Sequence, residues 1–302
     1  MSSVGMIEQV AGKGAARAAK RRRPRAIEGH GRATWAHYLL LGIVLLAFAY
    51  PLYYAFLLSS STAVDIARNP LPSLLPNDRF FENVQRVLES GVQFFPAFLN
   101  SVIVAVITSV SVVFFSTLAG FSFSKLSFRG RKGLLVFVIA TTAVPMQLGI
   151  IPLFIVMAKL GWTGQLVAVI VPGLVTAFGV FWMTQYLSGA LPFELIEAAR
   201  VDGCSMIRTF WHIALPAARP AAAMLALFTF VASWTNFFWP FIVLGSQNPT
   251  LPVALQLLQS TYFKDLSLIM SGVVLATVPL VLLFGFFGRQ LVSGIMAGAV
   301  KG

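Results

Sequence analysis

Apolar and polar positions along this chain fall into long blocks rather than a residue-by-residue alternation. Six apolar runs stand out: Trp35–Leu58, Phe98–Phe121, Leu134–Met157, Leu166–Leu187, Ala221–Leu244 and Leu268–Phe287. Each is long enough to cross a hydrocarbon core of about 30 Å, which takes about 20 helical residues. From His37 to the end of the first run, and throughout the other five, there is no Asp, Glu, Lys or Arg. The pattern predicts an all-α polytopic membrane protein with six transmembrane helices. Residues 1–33 precede this six-helix domain of 34–302 as a basic arm rich in Ala and Gly, expected to be disordered.

Polar intervals carry their own periodicity. Ser59–Pro96 holds Pro70, Pro72 and Pro76, then a helix-like run from Asp78 to Glu89 with Phe81, Val84 and Val87-Leu88 at helical spacing. Gly245–Leu266 places Leu251, Leu255 and Leu258 in helical register. The interval between the fourth and fifth runs, about residues 189–220, is longer than a simple connection needs. Pro192 suits a first helical turn, Glu194 and Glu197 sit where the helix dipole favours carboxylates, and Gly203 stands where a C-cap would. A second short helix is expected to start at Ser205 and to stop before Pro216. Such a segment reads as a surface built to be gripped by another protein. Within the spans, Pro51, Pro145, Pro152, Pro172, Pro240 and Pro279 fit generic bundle packing or a water-filled pathway lined by broken helices.

Charge then orients the bundle. Of the 22 basic residues, eight precede the first run, four lie between the second and third, three between the fourth and fifth, and two after the sixth. The alternate intervals hold five, against five acids. Lys/Arg excess marks the cytoplasmic side, so both termini and the Glu197 segment are expected in the cytoplasm of a plasma-membrane protein. The net charge of +12 reflects this asymmetry, and no nucleic-acid affinity is read from it. The run Lys20-Arg21-Arg22-Arg23-Pro24-Arg25 is read as an arm attracting anionic membrane lipid. The first apolar run is too long for a cleavable signal and lacks a small-residue cleavage site.

Composition adds exclusions. At 58% hydrophobic and 11% charged, the 302-residue chain is far from the usual soluble composition. Cys204 is the single cysteine, which leaves no intrachain disulfide. No span carries the central acid or base that a proton- or sodium-coupled carrier uses. No Gly-rich loop ends in Gly-Lys-Ser/Thr, and His30, His37 and His212 are scattered, so neither ATP binding by that motif nor a metal or catalytic cluster is expected. Transport by this chain would be driven from elsewhere, through the Glu197 segment.

The order Glu197-Ala198-Ala199, then Gly203, then Ile213 and Leu215-Pro216, resembles the EAA loop of permease subunits of binding-protein-dependent ABC importers. Asn100-Ser101, Ala119-Gly120-Phe121, Ile151-Pro152-Leu153, Trp162-Thr163-Gly164 and the C-terminal Gly298-Ala299-Val300-Lys301-Gly302 are similar to its sugar branch, on the maltose-permease pattern. That resemblance covers about residues 37–302. It implies the type I importer permease fold, with Glu197, Ala198, Ala199, Asp202, Gly203, Ile213, Leu215 and Pro216 forming a cytoplasmic helix that couples to an ATPase. It also implies a second, different permease subunit, two copies of the ATPase, which bind the ATP and Mg, and an extracytoplasmic solute-binding protein. This chain is expected to bind no cofactor and to hold no catalytic site. The family usually reads Trp-Asn-Asp/Glu-Phe-x-Trp-Pro in the fifth span; here Trp234-Thr235-Asn236-Phe237-Phe238-Trp239-Pro240 has lost the acid.

A self-sufficient carrier or channel, or a multispanning membrane enzyme, stands as the alternative, weakened by the missing intramembrane charges and clustered acid–base groups. Candidate pathway residues are Gln147, Trp182, Trp234, Thr235, Asn236 and Phe237, since sugar sites combine aromatic surfaces with a few hydrogen-bonding groups. Trp234 and Trp239 equally fit an interfacial belt.

Overall fold

A computed structural model describes residues 34–69 and 74–299, with side chains through residue 288. The basic arm, Pro70, Pro72 and the last three residues lie outside the described residues. Fourteen α-helices and no strand occur among the described residues: α1 Trp35–Ser59, α2 Ala63–Arg68, α3 Phe80–Glu89, α4 Phe94–Lys125, α5 Arg131–Thr141, α6 Ile150–Lys159, α7 Val167–Ile170, α8 Ala177–Ala190, α9 Phe193–Val201, α10 Met206–Thr209, α11 Leu215–Trp234, α12 Phe238–Leu244, α13 Leu251–Thr261 and α14 Leu266–Ala299. The chain divides into two compact units at Pro51/Leu52. In the first unit the helix leaves Trp35, Leu46 and Phe48 more than 70% exposed, a surface suited to lipid.

Among the described residues, five helical stretches are long and apolar enough to cross a membrane, and α5 with the Met146–Lys159 helix makes a sixth, bent by 87°. The third expected span, Leu134–Met157, is therefore not one straight helix. Pro145 cannot supply a helical N–H and holds an extended ψ of 126°, so the chain turns there and restarts as a 3-10 turn before α6. The fourth span breaks for a similar reason at Val171-Pro172-Gly173, where a short 3-10 turn separates α7 from α8.

The fifth span departs most from the expected Ala221–Leu244. The helix that begins after Ser205 does not stop before Pro216: α10 runs through a π-helical turn, Phe210–Ala214, directly into α11. Leu215 N–H bonds to Phe210 O, one residue further back than in an α-helix. The widened turn relaxes the clash that the Pro216 ring would make with the carbonyl four residues earlier. The far end is shorter than expected, since α11 terminates at Trp234 and α12 restarts at Phe238.

Helix α4 is the centre of the larger unit and contributes to three buried clusters. Phe121 and Val112 pack with Met183 and Leu187 of α8 and with Phe210 and Leu225. At the other end Phe94 and Ala105 pack with Val87, Trp234, Leu258 and Leu268. Val104 joins Met157, Val169 and Val243 in the third. Small residues set the closest approach: a Cβ on Gly120 would lie 2.7 Å from the Met183 carbonyl carbon, and one on Gly179 would overlap Ser116 Oγ. Glycine lets α4 meet the α8 backbone at Gly120 and lets α8 take the Ser116 side chain of α4 against its backbone at Gly179.

Opposite the Glu197 end, side-chain hydrogen bonds knit the connecting segments. Asn100 donates to Asn248 Oδ1 at 2.7 Å and to Pro249 O at 2.9 Å, and Asn248 donates to Gly164 O at 3.2 Å. Ser101 Oγ accepts the Leu251 N–H at 2.7 Å. The Asn100-Ser101 pair thus fastens the start of α4 to the segment leading into α13. Asn83 of α3 donates to the carbonyls of Ser59 and Ser61, both at 2.9 Å.

Candidate coupling surface and pathway residues

Between α8 and α11 the polar segment folds as two short helices joined by a tight stop. Pro192 occupies the N-cap of α9, with Glu194 in the first turn. Ile196 is fully buried and Ala199 is 4% exposed, so this edge holds the helix against the core of Leu187, Leu191 and Phe210. The opposite edge, carrying Glu197, Ala198 and Arg200, is exposed, as are Val201, Asp202 and Gly203 after it.

Gly203 ends α9 in a left-handed conformation, φ 76°. Its N–H donates to Arg200 O at 3.0 Å, and the Cys204 N–H donates to Ala199 O at 2.8 Å. These two bonds form a Schellman stop, which satisfies the last carbonyls and reverses the chain. Ser205 then caps α10, its Oγ accepting the Arg208 N–H at 3.3 Å. Of the remaining predicted coupling residues, Ile213 and Leu215 are half-buried against the α4–α8 core and Pro216 is exposed. Sequence reasoning missed the apolar part of this surface: Val201 is 88% exposed and Ile207 74%, and Leu195 and Phe193 of α9 are also exposed. Their signal was an apolar residue on each side of the Gly203 stop, a place where a purely solvated loop would be polar. Among the described residues, Glu194, Glu197 and Asp202 form no ion pair.

The pathway candidates separate into three places. Trp234, Thr235, Asn236 and Phe237 meet at the break between α11 and α12. Trp234 is 3% exposed, stacks on Phe230 at 5.6 Å and donates Nε1–H to Ala276 O of α14 at 3.2 Å. Thr235 returns its hydroxyl to Val231 O at 2.8 Å, and Phe237 stacks on Phe241 at 5.1 Å. The Asn236 amide, half-buried, makes no side-chain hydrogen bond among the described residues. Trp182 lies between Phe178 and Phe228 and donates to Ala221 O at 3.2 Å. Gln147 sits exposed in the turn after the 87° bend. No hydrogen bond or ring contact joins Gln147 or Trp182 to the Trp234–Phe237 group. No three His, Cys, Asp or Glu side chains gather as metal ligands among the described residues.

Residues 112–295, which include the whole segment from α8 to α11, match the family described as binding-protein-dependent transport system inner membrane component. The chain is 34% identical over 272 residues to the arabinooligosaccharides transport system permease protein of Halalkalibacterium halodurans, covering 87% of this chain and 96% of that protein. It is 34% identical over 205 residues to the lactose transport system permease protein of Rhizobium radiobacter, covering 68% and 74%. Its fold is similar to a solved bacterial ABC transporter involved in import of the acidic polysaccharide alginate, with TM-score 0.72, 23% identity, and coverage of 84% of this chain and 94% of that one.

Proposed function

This chain belongs to the family of binding-protein-dependent transport system inner membrane components, and we propose that it is the sugar-importer permease whose α9–α10 surface receives the drive of a separate ATPase. It is a multi-pass membrane protein, the non-catalytic transmembrane subunit of an ABC importer. The observation that carries the coupling role is the exposed face of Val201 and unpaired Glu197 on a short helix clamped to the core by Ile196 and Ala199. A rigid helix held this way converts movement of a docked partner into movement of the transmembrane helices, whereas a floppy loop would absorb it. The continuous helix from Met206 through the π turn to Trp234 supplies a mechanical connection from that surface across the bundle.

In this reading Glu197, Ala198, Asp202 and Gly203 form the docking face. Ala199, Ile213 and Leu215 form its seat on the bundle, with Pro216 exposed beside them. The ATPase, in two copies, binds ATP and Mg, and a second permease subunit and an extracytoplasmic solute-binding protein complete the importer. Both termini and the coupling surface are cytoplasmic, by the Lys/Arg asymmetry. The solute is a sugar, an oligosaccharide by analogy with the arabinooligosaccharide and lactose permeases. Where it passes this chain, the Trp234–Phe237 break offers Asn236 as a polar group without an internal partner, beside the Phe237 ring.

Two measurements test this. An affinity tag on this chain should recover a second permease and an ATPase from the native membrane. Vesicles holding that complex should take up an oligosaccharide only when ATP and the binding protein are both supplied. Uptake driven by an ion gradient alone would establish the self-sufficient carrier instead.

A further inference from the structure

Beside the coupling surface, a groove of about 360 Å³ opens between the last turns of α4 and the α10–π segment. Leu118, Phe121 and Leu126 line one side, Ile207, Phe210 and Trp211 the other. The volume lies in the range of small-molecule sites, about 300–1,000 Å³. Its inner wall is aromatic and rigid: Phe121 and Phe210 centroids are 5.9 Å apart, and Trp211 lies 5.9 Å from Phe114. Ile207 is 74% and Trp211 48% exposed, so a contiguous apolar face is left for something apolar to cover.

Arginines adjoin two of the lining residues, Leu126 and Ile207. Arg131 donates Nη1–H to the carbonyl of Leu126 at 3.0 Å, which fixes its guanidinium at the edge of the groove. Arg208 follows Ile207 directly and is exposed. Neither arginine pairs with a carboxylate among the described residues. An apolar slot edged by the Arg131 guanidinium, with the exposed Arg208 next in sequence to its Ile207 wall, matches an amphiphile with an acyl chain and an anionic head. A free phosphate would leave the aromatic wall uncovered. Basic pockets between membrane helices on the cytoplasmic side suit such headgroups.

We propose that this groove binds an anionic phospholipid of the cytoplasmic leaflet, its acyl chain along Phe121 and Phe210 and its phosphate between Arg131 and Arg208. The bound lipid bridges α4 to α10, one stop away from the coupling helix, and braces the surface on which the ATPase acts. The side of the membrane rests on the orientation proposed above.

The test uses the assembled transporter, purified in mild detergent through a tag on this chain and mixed with phosphatidylglycerol or phosphatidylcholine. Native mass spectrometry counts the lipids retained. Wild type should hold at least one more phosphatidylglycerol than the Arg131→Gln/Arg208→Gln variant. The preference of that site for phosphatidylglycerol should fall about fivefold per arginine. Leu118→Trp, which fills the slot, should lose the same lipid, whereas Phe286→Trp on the exposed face of α14 should keep it. Equal phosphatidylglycerol retention by wild type and the double arginine variant overturns the proposal. So does equal loss of both lipids, or a protein segment of the complex that shields the groove from either lipid. Because the count needs no ATP hydrolysis, a transporter that retains the lipid but fails every coupling test leaves this site standing and removes only the coupling role.

Discussion

Arg86 Nη2 lies 2.5 Å from Asp265 Oδ2, an ion pair between residues 179 positions apart that fastens α3 to the start of α14. The same carboxylate caps α14, its Oδ1 accepting the Leu268 N–H at 3.1 Å and the Ser267 hydroxyl at 2.6 Å. Burial pushes the Asp265 carboxyl up, but these hydrogen bonds and the Arg86 charge outweigh it and hold it below its ordinary value of 3.8.

The sign of the resulting pH dependence follows. A carboxyl with a depressed folded-state pKa contributes stability at pH values above its ordinary range, and that stability is lost as pH falls through the lowered value. Asp265→Ala should lower the thermal midpoint of the purified transporter at neutral pH, with the lost cap alone costing about 0.5–2 kcal/mol. The gap between wild type and variant should narrow as pH falls below 3.8. A gap that widened on acidification would remove the ion pair from the account.

At the Schellman stop, three substitutions separate conformation from bulk. No atom lies within 4 Å of a Cβ at Gly203, so space is not limiting. Gly203→Ala should cost about 1 kcal/mol through its positive φ, and Gly203→Asn less, since Asn tolerates that region. Gly203→Pro deletes the N–H that bonds to Arg200 O and forbids the observed φ of 76°. Uptake should rank wild type, Asn, Ala, then Pro at background, measured at equal abundance in the membrane.

Helix contact gives a control pair. Gly120→Ala must displace the Met183 backbone and should destabilise by about 1–3 kcal/mol. Gly285→Ala, with open space around it, should be neutral or slightly stabilising. Thermal unfolding of both variants in the same detergent decides whether the α4–α8 approach is as close as described.

Asn236→Ala tests the pathway. With no internal partner for the amide, its loss should leave thermal stability unchanged within about 0.5 kcal/mol. Transport should slow by an amount that differs among sugars, since each lost hydrogen bond is worth about 0.5–1.5 kcal/mol. Identical rates for every sugar would take Asn236 out of the pathway.

Local chemistry explains which parts were legible from sequence. Uninterrupted apolar runs set out α1, α4 and α14, because charge is excluded from the interior of a membrane. The α9 helix and its Gly203 stop could be read because capping is written within a few adjacent residues. Breaks were harder to place. Pro145 and Pro172 interrupt their spans while Pro51 and Pro279 lie inside continuous helices, so a proline in an apolar run does not by itself say where a span breaks. The passage of the fifth helix through Pro216 was illegible because a π turn has no local signature. Trp182 and Trp234 read as possible sugar platforms, yet both N–H groups bond to carbonyls of neighbouring helices, partners that lie about 40 residues away in sequence.

The most direct test of the central claim measures ATP hydrolysis by the assembled importer with and without solute-loaded binding protein, comparing wild type with Glu197→Lys and Val201→Asp. Both side chains are exposed, so folding and membrane abundance should be retained. The account predicts that both variants lose solute-stimulated hydrolysis and uptake together. Normal stimulation in both would contradict it and place the coupling elsewhere on the chain.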